Sequence, residues 1–202
     1  MNLLPQTELE AVNVMLQNIN ESPVNSLDTA FGDALMANQM LHNESRKVQS
    51  IGLTCNTDYE YTITRDPSNN INLPTTALKV IVPRGTNEGT RDLVQRGQKL
   101  YDRKKNTYAL TDDVKVTLVT FLEWTDLPQV VRNYITITAA RKFAAQVVGD
   151  KDIYLLTQQD ELEARTEFIR EQVDSEQANI LTDSNSSFSI LHKTRDYPNY
   201  GI

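Results

Sequence analysis

The chain has 202 residues, 39% of them hydrophobic, and a formal net charge of -7 at pH 7. That length suits one domain with an insertion or two small ones, and the modest apolar share implies a polar surface or a segment ordered only by partners. The lone Cys55 excludes an internal disulfide and a multi-cysteine metal centre, no apolar run approaches the ~20 residues of a membrane span, and residues 1–10 carry no signal-peptide pattern, so the chain reads as soluble and made in the cytoplasm.

The first helix opens at Thr7-Glu8-Leu9-Glu10, a capping box, and Leu9, Val12, Leu16 and Ile19 recur on one face until Pro23 stops it. Asn25 or Ser26 is placed to cap a second helix, whose face carries Leu27, Phe31, Ala34, Leu41 and Val48 and which ends at Gly52. The two are expected to pair antiparallel. From residue 53 the period changes to short runs rich in β-branched and aromatic residues: TDYEYTIT, NINLP, ALKVIVP and VKVTLVTFLEW. KLYDRKKNTYAL at 99–110 reads as two strands around a Lys104-Lys105-Asn106 turn, and the glycine-containing stretch before it, with Gly85, Gly89 and Gly97, as a loop. Its spacing matches no phosphate-binding pattern.

Asp126 is then expected to cap a third helix with Pro128 in its first turn; Val131, Tyr134, Ile135, Thr138, Phe143 and Ala144 make it apolar around much of its circumference, so it is central, and Gly149 breaks it. A last helix carries Leu155, Leu162, Ile169, Val173 and Ile180 on its apolar side and Asp160, Glu161, Glu163, Glu167, Glu171 and Glu176 on its outer one. The fold class is α+β: an antiparallel helical bundle (1–52 and 126–181), an inserted small antiparallel β domain (53–125) and an extended C-terminal arm (182–202). The arm is too polar to fold alone, yet Phe188, Ile190, Leu191, Tyr197 and Tyr200 are anchors for a partner surface.

Charge is unevenly spread. Residues 1–64 hold 8 acids and 2 bases, 65–149 hold 8 and 13, and 150–202 hold 11 and 5, giving -6, +5 and -6. A basic middle between acidic ends suits the packing of identical subunits on one another. The basic set Arg84, Arg91, Arg96, Lys99, Arg103, Lys104 and Lys105 would meet acidic neighbours, touch DNA, or simply blunt a sheet edge. His42 and His192 have no second ligand at zinc spacing, Cys55 has no activating neighbour, and Trp124 reads as a core or domain-junction anchor. Glu161, Glu163 and Glu167 are the one carboxylate group that a glycan hydrolase would use, although acids along a helix more often form a solvated face.

The helix, ESPV elbow and longer helix at the N-terminus, the LYDR run at 100–103, the EWTDLP turn at 123–128, the following helix with Arg141-Lys142-Phe143, and ELEAR at 161–165 stand in an order that resembles the tail tubular protein A family of short-tailed phages. The likeness extends over 7–181 and fails in 53–98, where little aligns. It implies a non-enzymatic adaptor or gatekeeper without a cofactor. Such a protein would form a dodecameric ring in the virion tail, assembled in the host cytoplasm. Its partners would be the portal protein, the nozzle (tail tubular protein B) and a tail fibre, with transient, non-specific contact with passing DNA. A cell-wall-degrading tail enzyme and a DNA-binding packaging factor are the competing readings.

Overall fold

The computed structural model describes residues 7–28, 31–82, 92–148 and 151–180, the last stretch with side chains for 159–176. Among the described residues four helices, α1 (Glu8–Gln17), α2 (Asp33–Gln49), α3 (Gln129–Val147) and α4 (Lys151–Ile180), frame five strands: β1 (Thr57–Ile63), β2 (Ala77–Ile81), β3 (Leu93–Arg96), β4 (Lys99–Asp102) and β5 (Val114–Thr120). The α+β expectation holds. One antiparallel sheet has the order β1-β5-β2, and β3 pairs with β4 in a separate hairpin.

The capping box forms as the sequence requires: the Glu10 amide donates to Thr7 Oγ1 and the Thr7 amide to Glu10 Oε2, both at 3.1 Å. Proline does not end α1. Asn20 takes a left-handed conformation (φ 61°), its amide bonds to the Gln17 carbonyl and the Glu21 amide to that of Leu16, a Schellman closure reached before Pro23. The elbow is then pinned to α1, because Asn13 donates to and accepts from the Val24 backbone at 3.0 and 2.8 Å.

Helix α2 starts later than its apolar spacing suggests. Ser26 accepts from the Asp28 amide in a local turn, Gly32 precedes the first helical residue, and Phe31 stands 85% exposed rather than on the buried stripe. Neither Asn25 nor Ser26 caps α2, and Ser26 serves the elbow instead. Gly52 does close the far end, with φ 91°, and a Cβ there would lie 3.3 Å from Val119 Cγ2.

In the β region the loop assigned before residue 97 contains a strand. Leu93 to Arg96 pair with Lys99 to Asp102 through a tight turn whose first residue, Gly97, has φ 60°. The second strand expected after Asn106 is reduced to two isolated bridges, Asp102 with Thr107 and Asn70 with Ala109. NINLP likewise forms no named strand; it runs beside β4, the Leu100 amide bonding to the Ile71 carbonyl. Strand β1 is bulged at Glu60, a non-glycine residue with φ 53°. Before α3, Asp126 belongs to a 3-10 turn (Trp124–Asp126), and Pro128 sits at the N-cap without a side-chain cap. Gly149 falls outside the described residues.

Two apolar clusters result. The helical one gathers Val12, Met15 and Leu16, Leu41, Ile135 and Phe143, with Trp124 and Phe168 at its margin. The β cluster gathers Ile63, Ile71, Leu73, Leu100, Val114, Val116 and Leu118. As expected from its all-round apolarity, α3 is central: it packs on α1, α2 and α4. Between the clusters lies a polar clasp. The fully buried Gln49 donates to Ser45 Oγ and the Leu122 carbonyl and accepts from the Leu122 amide (3.0, 3.0 and 2.7 Å). Asn56 donates to the Gln49 and Thr120 carbonyls at 3.0 and 2.8 Å. These amides tie the end of α2 to the exit of β5 with every polar atom matched.

Helix α4 departs most from its sequence pattern. Leu162, Ile169 and Val173, expected to face inward, are 64%, 48% and 44% exposed. The inward face is instead Ala164 and Phe168, flanked by partly buried Glu161, Gln172 and Ser175. Phe168 stacks on Tyr134 of α3 with centroids 4.7 Å apart, Glu161 pairs with Arg141, and Gln172 Oε1 accepts from the Thr54 amide and hydroxyl at 3.0 and 3.1 Å. One large aromatic ring and two satisfied polar contacts decide the orientation against three aliphatic side chains.

Candidate functional site

Surfaces are what this molecule offers. The β3–β4 hairpin carries the described part of the basic set, and its residues are held in three ways. Arg96 lies diagonally across the ladder from Tyr101, and its guanidinium sits 3.7 Å from that ring's centroid. Tyr101 in turn meets Tyr108 edge-on at 4.8 Å. Arg103 grips Asp92 through both carboxylate oxygens, at 2.8 and 2.7 Å, and this pairing raises its already high pKa.

Lys104 and Lys105 form the exposed tip of the next turn. The buried Asp102 organises it by accepting from both lysine amides at 2.8 and 3.2 Å, and Asn106 (φ 53°) completes the reversal. The hairpin therefore gathers Arg96, Lys99, Arg103, Lys104 and Lys105 on one small, exposed unit. Arg84 and Arg91 lie outside the described residues, as do all five arm anchors, Phe188, Ile190, Leu191, Tyr197 and Tyr200.

The carboxylates of α4 do not converge. Glu161 turns inward to Arg141, whereas Glu163 and Glu167 are exposed on another side of the helix. On α3 the adjacent bases diverge: Arg141 reaches α4 and Lys142 reaches the buried Glu44 of α2, which Lys47 also approaches at 3.7 Å. These two ion pairs brace the central helix against both neighbours, a use of Arg141 and Lys142 that sequence spacing alone does not disclose.

Cys55 is exposed as a residue, but burial around its sulfur pushes the thiol pKa up, which makes it a poor nucleophile. His42 is an exposed residue of α2. Among the described residues no group of three or more histidine, cysteine or acidic side chains is disposed to hold a metal ion, and no helix is long and apolar enough to cross a membrane.

Exposed apolar side chains complete the picture. Besides the α4 stripe they include Phe31, Leu35 and Met36 around the start of α2, and Tyr59 and Tyr61 on β1. The described residues thus form two apolar clusters, with apolar and charged groups distributed over the exterior. The sequence matches the family model for tail tubular protein over residues 9–178, and the chain belongs to that family, a structural component of the tails of short-tailed phages. No curated protein matches it.

Proposed function

We propose that the protein is the subunit of a ring, dodecameric by resemblance, that adapts the portal to the tail nozzle of a short-tailed phage and lets DNA pass through its centre. The family match over 9–178 is the observation that carries this reading. In it, the bundle (1–52 and 126–181) meets the portal, the β domain (53–125) faces the nozzle and a tail fibre, and the arm (182–202) reaches a neighbouring subunit or the portal. The work is mechanical, without catalysis or cofactor, and assembly takes place in the host cytoplasm.

Native mass of the purified protein, alone and with portal, is the test. A ring that binds portal supports the adaptor. A monomer that cleaves peptidoglycan would establish the enzyme, and a monomer that holds duplex DNA with a steep salt dependence would establish the packaging factor. Deleting residues 184–202 is expected to leave the thermal transition in place and weaken the ring or its portal complex; unchanged assembly and affinity would refute the arm.

The channel should repel rather than hold its cargo. Twelve copies at -7 each bring a formal -84, and duplex DNA carries one negative charge per ~1.7 Å of axis. A lumen that is acidic or neutral over most of its length is expected, with the basic hairpin turned toward protein. A ring structure with four or more of Arg84, Arg91, Arg96, Arg103, Lys104 and Lys105 on the channel wall would overturn that expectation.

A further inference from the structure

The outward face of the β3–β4 hairpin is basic. Side chains alternate along β4, so Leu100 and Asp102 are buried while Lys99, Tyr101 and Arg103 point the other way, beside Arg96 and Val94 of β3. With Lys104 and Lys105 at the next turn, the hairpin presents five exposed bases, and residues 93–110 contain no exposed acid. Asp92 holds Arg103, but Lys99, Lys104 and Lys105 have no ion-pair partner among the described residues. Arg96 is steadied by the Tyr101 ring, so its guanidinium has little freedom left to lose on binding.

Helix α4 carries the opposite feature. Asp160, Glu163, Glu167, Glu171 and Asp174 are all exposed and recur at steps of three and four. At 3.6 residues per turn they fall within an arc of about 80° and extend over ~21 Å. Arg170 stands at the margin of that arc and Arg165 on the far side of the helix. None of the five carboxylates has an ion-pair partner among the described residues, and like charges at this spacing repel one another. No other described helix or strand presents more than two exposed acids.

We propose that the β3–β4 hairpin of one copy docks along this acidic stripe on α4 of a second copy. The inference rests on the ring reading and adds the pair of elements that would join neighbouring subunits. Charge selects the occupant: the face needs a row of carboxylates, and the chain itself carries one. Length agrees as well, since at ~3.3 Å per residue the strand from Lys99 to Arg103 covers ~13 Å, within the ~21 Å of the stripe, and Lys104 and Lys105 prolong it. Both sets of side chains are exposed within a single subunit, so neither covers the other there. A contact between two different elements is head-to-tail, the kind that closes into a ring.

Charge reversal tests the pairing. One variant carries Lys99→Glu, Lys104→Glu and Lys105→Glu, the other Glu163→Lys, Glu167→Lys and Glu171→Lys. All six positions are exposed, so each protein should keep the circular dichroism and thermal transition of the parent. Each alone should lose the ring, by native mass and sedimentation velocity, at concentrations where the parent is assembled. Mixed in equal amounts they should regain it, because each acidic hairpin then meets a basic α4 and each basic hairpin an acidic one. With one protein isotope-labelled, the recovered ring should contain equal numbers of both.

Either variant assembling alone as the parent does overturns the inference and leaves the ring reading standing. So does a mixture of two assembly-defective variants that stays apart. If a reversed variant loses the parental thermal transition, glutamine at the same positions should weaken assembly without recovery on mixing, and parental assembly of those proteins also overturns the inference. A parent that stays monomeric at its solubility limit overturns both readings.

Discussion

Replacing Gln49 by leucine removes the glutamine half of the clasp between the helical and β clusters, leaving the Asn56 half, and keeps a side chain of similar bulk in a site with no exposure. Three hydrogen bonds go, and two of them end on the backbone of Leu122, whose amide and carbonyl both lose their side-chain partner. A buried backbone group left unmatched costs ~1–3 kcal/mol, and Leu122 is only partly buried, so water relieves some of that cost; a destabilisation of about 3 kcal/mol is expected. In a chain of this size 1 kcal/mol moves the midpoint by ~2–4 °C, so Tm should fall by roughly 6–12 °C.

The assay has a second readout. The chain's one tryptophan, Trp124, lies in the helical cluster, so its fluorescence follows the helices while far-ultraviolet circular dichroism follows the whole chain. Loss of the Gln49 bonds should loosen the join between the clusters and pull the two melting curves apart. A Gln49→Leu protein melting within about 2 °C of the parent, with coincident curves, would show that the two clusters are coupled by other contacts.

Ile135, fully buried on α3, should not tolerate aspartate: an unpaired buried carboxylate costs several kcal/mol against a total stability of ~5–15 kcal/mol, and an unchanged melting curve would place that face at solvent. Asp66 provides a pH signature. The Asn70 amide above all, with those of Ser68 and the Asn72 side chain, donates to its carboxylate and holds its pKa below the usual value. A depressed folded pKa means the contribution is present above the unfolded value near 3.8 and disappears as pH falls through the folded one. Asp66→Asn should therefore melt below the parent at neutral pH, with the gap narrowing in acid; a gap independent of pH would refute the assignment.

What the sequence disclosed was local. The Thr7 capping box, the β-branched run that becomes β5, and the apolar circumference of α3 all rest on neighbours within a turn or two, and each appears as read. The failures share one cause, contacts distant in sequence. Leu93-Val94 is too short an apolar run to announce a strand, and only pairing with Leu100-Tyr101 makes it one. On α4 the larger aliphatic residues marked the wrong side, because Arg141 and Thr54 bring Glu161 and Gln172 inward with their polar groups satisfied. The same holds for the basic residues: composition gave their number but not that Asp92 holds Arg103 or that Tyr101 supports Arg96.

That distinction bears on how the positive middle of the chain is to be understood. Its balance of +5 between acidic ends invites a reading as an attractive field for nucleic acid. Yet Arg141 and Lys142 are matched to Glu161 and Glu44 within the helical body, Arg103 to Asp92, and Arg65 and Lys115 stand 3.7 and 3.8 Å from Asp113 and Glu60. Five of the bases in that block thus already have carboxylate partners inside the subunit, while the acids of α4 from Glu163 to Glu176 stand largely exposed along one helix. Among the described residues the exposed acids are thus ordered along α4, while Arg96, Lys99, Lys104 and Lys105 stand exposed around the two turns of the β3–β4 hairpin. An acidic helix of that kind attracts basic faces of proteins and repels a phosphate backbone.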